Sequence, residues 1–188
     1  MRTIQATTVI DAPITAVWTV LSDGPQYVHW NPLITVVAGD LAPGSRPTLR
    51  ITPPGKRGST FRPRVVHASA DEGLRWLGRL ILPGLCDADH EFRLTSLVDG
   101  RTQLVQRETF RGMLVPLLAG MLEPTRQGFE AMNAALRQRV EAMSVRDSLP
   151  EPVDATLSSP NDLEPEVAVR TAAASNRERQ TARPHGGS

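Results

Sequence analysis

Leu117 to Met143 reads LLAGMLEPTRQGFEAMNAALRQRVEAM, and this stretch decides the fold. Leu118, Met121, Leu122, Thr125, Phe129, Met132, Leu136, Val140 and Met143 recur at three- and four-residue steps, with Glu123, Arg126, Gln127, Glu130, Arg137 and Glu141 between them. That spacing predicts an amphipathic helix with one wide apolar stripe. Its length is on the order of 40 Å at 1.5 Å per residue. Pro124 has no N–H to give and its ring crowds the carbonyl of Gly120, so a bend or restart is expected there. Methionines and Gly128 make the stripe adaptable, which suits a wall facing a ligand.

Upstream of this helix the chain reads mostly as strands. Thr3 to Ile10 alternates with Ile4, Ala6, Thr8 and Ile10 on one face. Pro13 then opens a short helix, with Asp11 or Ala12 at its cap and Ile14, Val17, Trp18 and Leu21 on its apolar side. Gln26 to Trp30 makes a further turn. Six more strands are expected: Leu33–Ala38, Pro47–Thr52, Phe61–Val66, Arg75–Leu80, His90–Thr95 and Gln103–Arg111. Short turns between them imply a mainly antiparallel sheet and an α+β class. From Ser144 to Ser188 the chain carries five prolines, mixed charge and no aromatic residue, the composition of a disordered tail; the folded domain is expected over residues 1–143.

The bulk composition excludes several function classes. A net charge of +1 gives no general attraction to nucleic acid or membrane. The single cysteine, Cys86, forms neither an internal disulfide nor a cysteine metal site. Four scattered histidines lack metal-ligand spacing, so no metal is expected. There is no nucleophile motif, phosphate loop or dinucleotide fingerprint, hence no cofactor. No signal peptide or membrane-length apolar run is present, and the expected location is the cytoplasm.

The last two strands carry the most chemistry. A two-residue Asp99-Gly100 turn would mix Phe92 and Arg107 on one face. A three-residue loop, Val98-Asp99-Gly100, pairs Leu97 with Arg101, Leu94 with Leu104, Phe92 with Gln106 and His90 with Glu108. The inward face is then His90, Phe92, Leu94, Leu104, Gln106, Glu108 and Phe110. Two readings of its polar members stay open. Either His90 and Glu108 satisfy each other, or with Gln106 they are the polar groups of a ligand cavity. Arg62, Arg64, Arg75 and Arg79 face outward on neighbouring strands, as a solvated sheet face or an anion patch.

Several segments taken in order resemble the START/Bet v 1-like (SRPBCC) superfamily, in its bacterial polyketide cyclase/dehydrase-like branch. They are Ile10-Asp11-Ala12-Pro13 before Val17-Trp18, and Trp30-Asn31-Pro32 before Gly39 and Gly44. Leu74-Arg75-Trp76-Leu77-Gly78, His90-Glu91-Phe92, Glu108-Thr109-Phe110-Arg111-Gly112 and Gly128 to Asn133 with Leu136 complete the set. The resemblance covers about residues 1–143. It implies a helix-grip fold, in which a seven-stranded curved antiparallel sheet holds the long C-terminal helix, with two short helices after the first strand. It also implies an apolar cavity for a polyketide- or lipid-like ligand, and cyclases that work without a cofactor.

Three functions follow as expectations. The first is binding of a hydrophobic or aromatic small molecule, as monomer or homodimer, without stable membrane insertion. Its cavity would be walled by Trp30, Leu49, Ile51, Phe61, Trp76, Phe92, Phe110, Met121, Phe129 and Met132, with His90, Gln106 and Glu108 as polar contacts. The second is a polyketide cyclase or dehydratase using His90 and Glu108 as acid and base. The third is a co-chaperone-like interaction module whose interior is filled by its own side chains. An enclosed cavity beside His90 separates the first two from the third.

Overall fold

A computed structural model describes residues 1–79 and 84–148. The C-terminal tail read from the sequence lies outside the described residues beyond Ser148, as does Leu80 of the expected fifth strand. The elements run β1 (Arg2–Ile10), α1 (Ile14–Ser22), a 3-10 turn (Gly24–His29), β2 (Ile34–Ala38), β3 (Thr48–Ile51) and β4 (Ser59–Phe61). Then come β5 (Arg64–Ser69), β6 (Gly73–Arg79), β7 (Asp87–Ser96), β8 (Thr102–Arg111), a second 3-10 turn (Val115–Leu118) and α2 (Ala119–Ser148). The class is α+β, a helix-grip-like arrangement in which a long C-terminal helix closes over antiparallel sheets.

The expected single seven-stranded sheet is replaced by two. Among the described residues the strands form a five-stranded sheet, ordered β1-β8-β7-β6-β5, and a three-stranded sheet, ordered β2-β3-β4. The expected fourth strand, Phe61–Val66, is cut at Arg62-Pro63, and its halves pair in different sheets. The cause is chemical: Pro63 has no N–H and cannot donate to a ladder. The edge left at β5 is covered by a loop. Val65 N–H donates to Ser45 O at 3.0 Å, and Gly44 N–H donates to Val65 O at 2.8 Å.

The β7–β8 register is the one the three-residue loop requires. His90 opposes Glu108, Phe92 opposes Gln106 and Leu94 opposes Leu104. Gly100 has φ +83°, the left-handed conformation that a side chain disfavours. Leu97 N–H donates to Arg101 O at 2.7 Å. His90, Phe92, Leu94, Leu104, Gln106 and Phe110 are buried on the inner face, as the alternation demands.

Two local expectations are corrected. The cap of α1 is Pro13 in extended conformation, with no side-chain cap bond; Asp11 N–H instead donates to Glu141 Oε1 of α2 at 2.9 Å. The closing helix is not restarted at Pro124, which lies inside a continuous α2. The change in backbone falls earlier, in the 3-10 turn Val115–Leu118. Pro124 is the sixth residue of α2, so its missing N–H removes one bond, to the Gly120 carbonyl, close to the helix start.

The core sits between α2 and the five-stranded sheet. Phe129, Met132, Leu136 and Val140 form the buried stripe of α2, which packs chiefly against β1 and α1. Arg126, on the other side, bonds to Glu123 and Glu130. Its first turns, with Met121, Leu122 and Thr125, stand across from Trp76, Gly78 and Ala88 on the β6–β7 side of the grip.

Candidate functional site

The space left on that side is a pocket of about 120 Å³. Leu49 and Ile51 of β3, Ser59 and Phe61 of β4, and Pro63 form one wall. Trp76 and Gly78 of β6, Ala88 of β7, and Glu108 and Phe110 of β8 form the floor. Met121, Leu122 and Thr125 of α2 roof it, and Pro53 and Arg57 from the β3–β4 loop stand at its rim. Among the described residues, Glu108 is the only acidic group and Arg57 the only basic one on an otherwise mainly apolar lining.

Small residues make the space. Gly78 and Ala88 are directly paired across β6 and β7, on the inner face that carries Trp76 and His90 one step further in. Trp76 and His90 fill the corresponding volume there, and the pocket ends. The indole of Trp76 lies on the pocket wall and stacks on the His90 imidazole, with ring centroids 4.8 Å apart and planes at 20°.

His90 is packed on every side. It is 3% exposed, and Phe92 and Phe129 lie against it at 4.6 and 5.0 Å. Gln106 Nε2 lies 3.2 Å from His90 Nε2 and 3.7 Å from the sulfur of Met132. With the amide in this orientation Gln106 donates, so Nε2 of His90 accepts. The proton of the neutral ring then resides on Nδ1. That nitrogen is 3.8 Å from Glu108 Oε1. The separation is beyond a hydrogen bond. Glu108, with its side chain 14% exposed, is thus the outer member of the pair and His90 the inner one.

Of the residues singled out from sequence, Leu49, Ile51, Phe61, Trp76, Glu108, Phe110 and Met121 converge on the pocket. His90, Gln106, Phe92, Phe129 and Met132 sit deeper, in the packed interior. Trp30 lies elsewhere, edge-on to Tyr27 at 5.0 Å, with its Nε1 buried and unpartnered. Among the described residues, the enclosed cavity expected beside His90 is not found: side chains fill that region, as the interaction-module reading expects, and the open space lies beside Glu108 instead.

Sequence reasoning passed over Pro53, Arg57, Ser59, Pro63, Gly78 and Ala88. For Gly78 and Ala88 a signal existed: continuing the inward alternation one step past Trp76 and His90 reaches the two smallest residues of the face. Cys86 carries no chemistry. It is buried, and burial raises its thiol pKa, keeping it protonated. Among the described residues no three of His, Cys, Asp and Glu converge as a metal site, and no helix is long and apolar enough to cross a membrane.

Comparison with known proteins follows from this geometry. The family described as polyketide cyclase / dehydrase and lipid transport matches residues 1–142. A START superfamily protein from Mycobacterium smegmatis is 19% identical, with a TM-score of 0.59 over 75% of this chain and 98% of that one. A Thermus thermophilus protein is 14% identical, with a TM-score of 0.60 over 76% and 99%. The Zhui aromatase/cyclase of a Streptomyces species is 25% identical, with a TM-score of 0.52 over 77% and 94%. A search of curated proteins gives no match.

Proposed function

The chain belongs to the polyketide cyclase / dehydrase and lipid transport family, and on that premise we propose that its pocket takes the ring-sized, hydrophobic part of a polyketide-like molecule. A dry cavity of about 150 Å³ accepts a benzene ring, so 120 Å³ suits one ring and little more. Longer substrates leave their remainder at the rim, between Arg57 and Met121. Binding of a hydrophobic molecule is the general role supported by the fold and the apolar lining.

The finer reading is a cofactor-free cyclase or dehydratase. It rests on one observation: Glu108 is the lone carboxylate on the lining and has an imidazole behind it. A carboxylate there takes a proton from a methylene flanked by carbonyls. The enolate carbon then attacks a second carbonyl of the same chain and forms the ring bond. The resulting alkoxide recovers the proton from Glu108, so no electrons enter or leave. His90 does not touch the substrate in this scheme; it packs behind the carboxylate, with Nδ1 3.8 Å from Glu108 Oε1. The similarity to the Zhui aromatase/cyclase supports this reading.

The test separates binding from chemistry. Glu108→Gln keeps the shape of the wall and removes the base. It is expected to lower cyclisation of a poly-β-carbonyl substrate by about 10²-fold or more, the usual worth of a general base, while an apolar fluorescent dye binds within a few-fold of wild type. His90→Ala lowers turnover less. Unchanged turnover in Glu108→Gln would sink the enzymatic reading. Ala88→Leu, which fills the pocket, should abolish dye binding; dye binding that survives it would sink the pocket itself.

A further inference from the structure

The outer face of the five-stranded sheet carries a second concavity, independent of the pocket's function. It is a groove of about 510 Å³ at the β5–β8 end. Five arginines line it: Arg46, Arg62, Arg64, Arg79 and Arg111, against two carboxylates, Asp87 and Asp89. The excess is three positive charges in one groove, on a chain whose net charge is only +1.

The carboxylates are already engaged. Asp89 accepts two bonds from Arg75, a residue outside the groove, at 2.8 and 2.7 Å. Asp87 Oδ2 accepts Gly84 N–H at 3.1 Å, and its Oδ1 lies 3.8 Å from Arg79 Nε. Among the described residues, Arg46, Arg62, Arg64 and Arg111 form no ion pair with a carboxylate. One step further along β7, Glu91 is held by both Arg93 and Arg107. Five guanidiniums against two carboxylates leave an excess of like charge, which raises the energy of the folded chain.

The backbone explains why they gather. The chain alternates at the break between the sheets: Phe61 and Pro63 face the pocket, Arg62 and Arg64 the groove. Arg79 and Arg111 each flank Asp87 in the ladder, one on either side. Several guanidinium forks lining one groove suit a multiply charged anion, which can accept more than one bidentate contact.

We propose that this groove is a binding site for a soluble phosphate-bearing small molecule with at least two negative charges. Pyrophosphate is the probe. Calorimetric titration of the full chain at 150 mM NaCl should show saturable, one-to-one binding that weakens as salt is raised. Arg62→Ala/Arg64→Ala should weaken it at least about tenfold, since each loses a charge-assisted hydrogen bond. Arg64→Lys alone should weaken it measurably because the point charge cannot replace the fork. Arg93→Ala, away from the groove, should leave it unchanged. All variants should keep the wild-type circular dichroism and melting temperature within a few degrees, because the mutated side chains are exposed.

Absence of saturable binding at 150 mM NaCl overturns the proposal. So does equal loss in Arg93→Ala and Arg62→Ala/Arg64→Ala, which would mean diffuse charge attraction. Capture on phosphatidic acid vesicles that pyrophosphate fails to displace overturns it as well, in favour of an anionic membrane surface.

Discussion

Gly128→Ala sets two effects of similar size against each other. Gly128 lies in the interior of α2, where alanine gains about 1 kcal/mol of helix propensity over glycine. A Cβ built there lies 2.6 Å from Leu33 Cδ1 and 3.4 Å from Leu33 Cδ2. Leu33 is 1% exposed, so its methyls have no solvent to swing into. Overpacking of this kind costs about 1–3 kcal/mol. The net expectation is a loss of up to about 2 kcal/mol, and at about 2–4 °C per kcal/mol for a domain of this size the melting temperature should fall by up to about 8 °C. Gly120 is the internal control. It lies in the first turn of the same helix, and a Cβ there meets nothing within 4 Å. Gly120→Ala should hold or raise the melting temperature, by up to about 1 kcal/mol of stability. Leu33→Ala placed in the Gly128→Ala background should show a favourable coupling of about 0.5 kcal/mol or more, because it removes the methyls being struck. Thermal melts followed by circular dichroism decide the matter. If both glycine variants move in the same upward direction, α2 does not approach Leu33 as described and the reasoning fails.

Two further outcomes probe the strands. Thr102 is fully buried and its Oγ1 donates to Ala12 O at 2.8 Å, tying β8 to the start of α1; Thr102→Val keeps the shape, strands that carbonyl, and should cost about 1–3 kcal/mol in urea denaturation. No loss would show that the carbonyl finds another donor. The Arg75 guanidinium holds the Asp89 carboxyl below its usual range, so the pair's stabilisation is present above the unfolded carboxylate pKa and lost as pH falls through the lower folded value. Asp89→Asn should therefore be less stable than wild type at pH 7, by at most about 1 kcal/mol because Arg75 is nearly half exposed, and the gap should close in acid; a gap that persists there refutes the assignment.

How far sequence carried differs between the fold and the site. The β7–β8 register was legible because slipping by one residue would have turned Phe92, Leu94, Leu104 and Phe110 outward together. The stripe of α2 was legible for the same reason, at a period of 3.6. Pro63 was visible but underweighted. Its neighbours alternate cleanly, but a missing donor in mid-ladder weighs more than alternation. The sequence also named most of the pocket's apolar wall. It could not say how deep the space reaches, because that depends on where α2 crosses the sheet. Alternation assigns His90, Glu108 and Ala88 to one face without ranking them along it. Only the packing of Trp76 and Phe129 on His90 fills the inner end and leaves Glu108 at the edge of the open part.

The division of the sheet at Pro63 has a consequence for motion. No ladder crosses from β4 to β5, so amide hydrogens of β3 and β4 can exchange with solvent by openings that leave the five-stranded sheet intact. The pocket has one wall on each side of this seam, with Leu49, Ile51 and Phe61 on the smaller sheet and Trp76, Ala88 and Phe110 on the larger. Its capacity is thus elastic: widening it strains a loop and leaves the β-ladders whole. Ligand binding should slow amide exchange in β3 and β4 far more than in β7 and β8, and that asymmetry would mark the smaller sheet as the moving jaw.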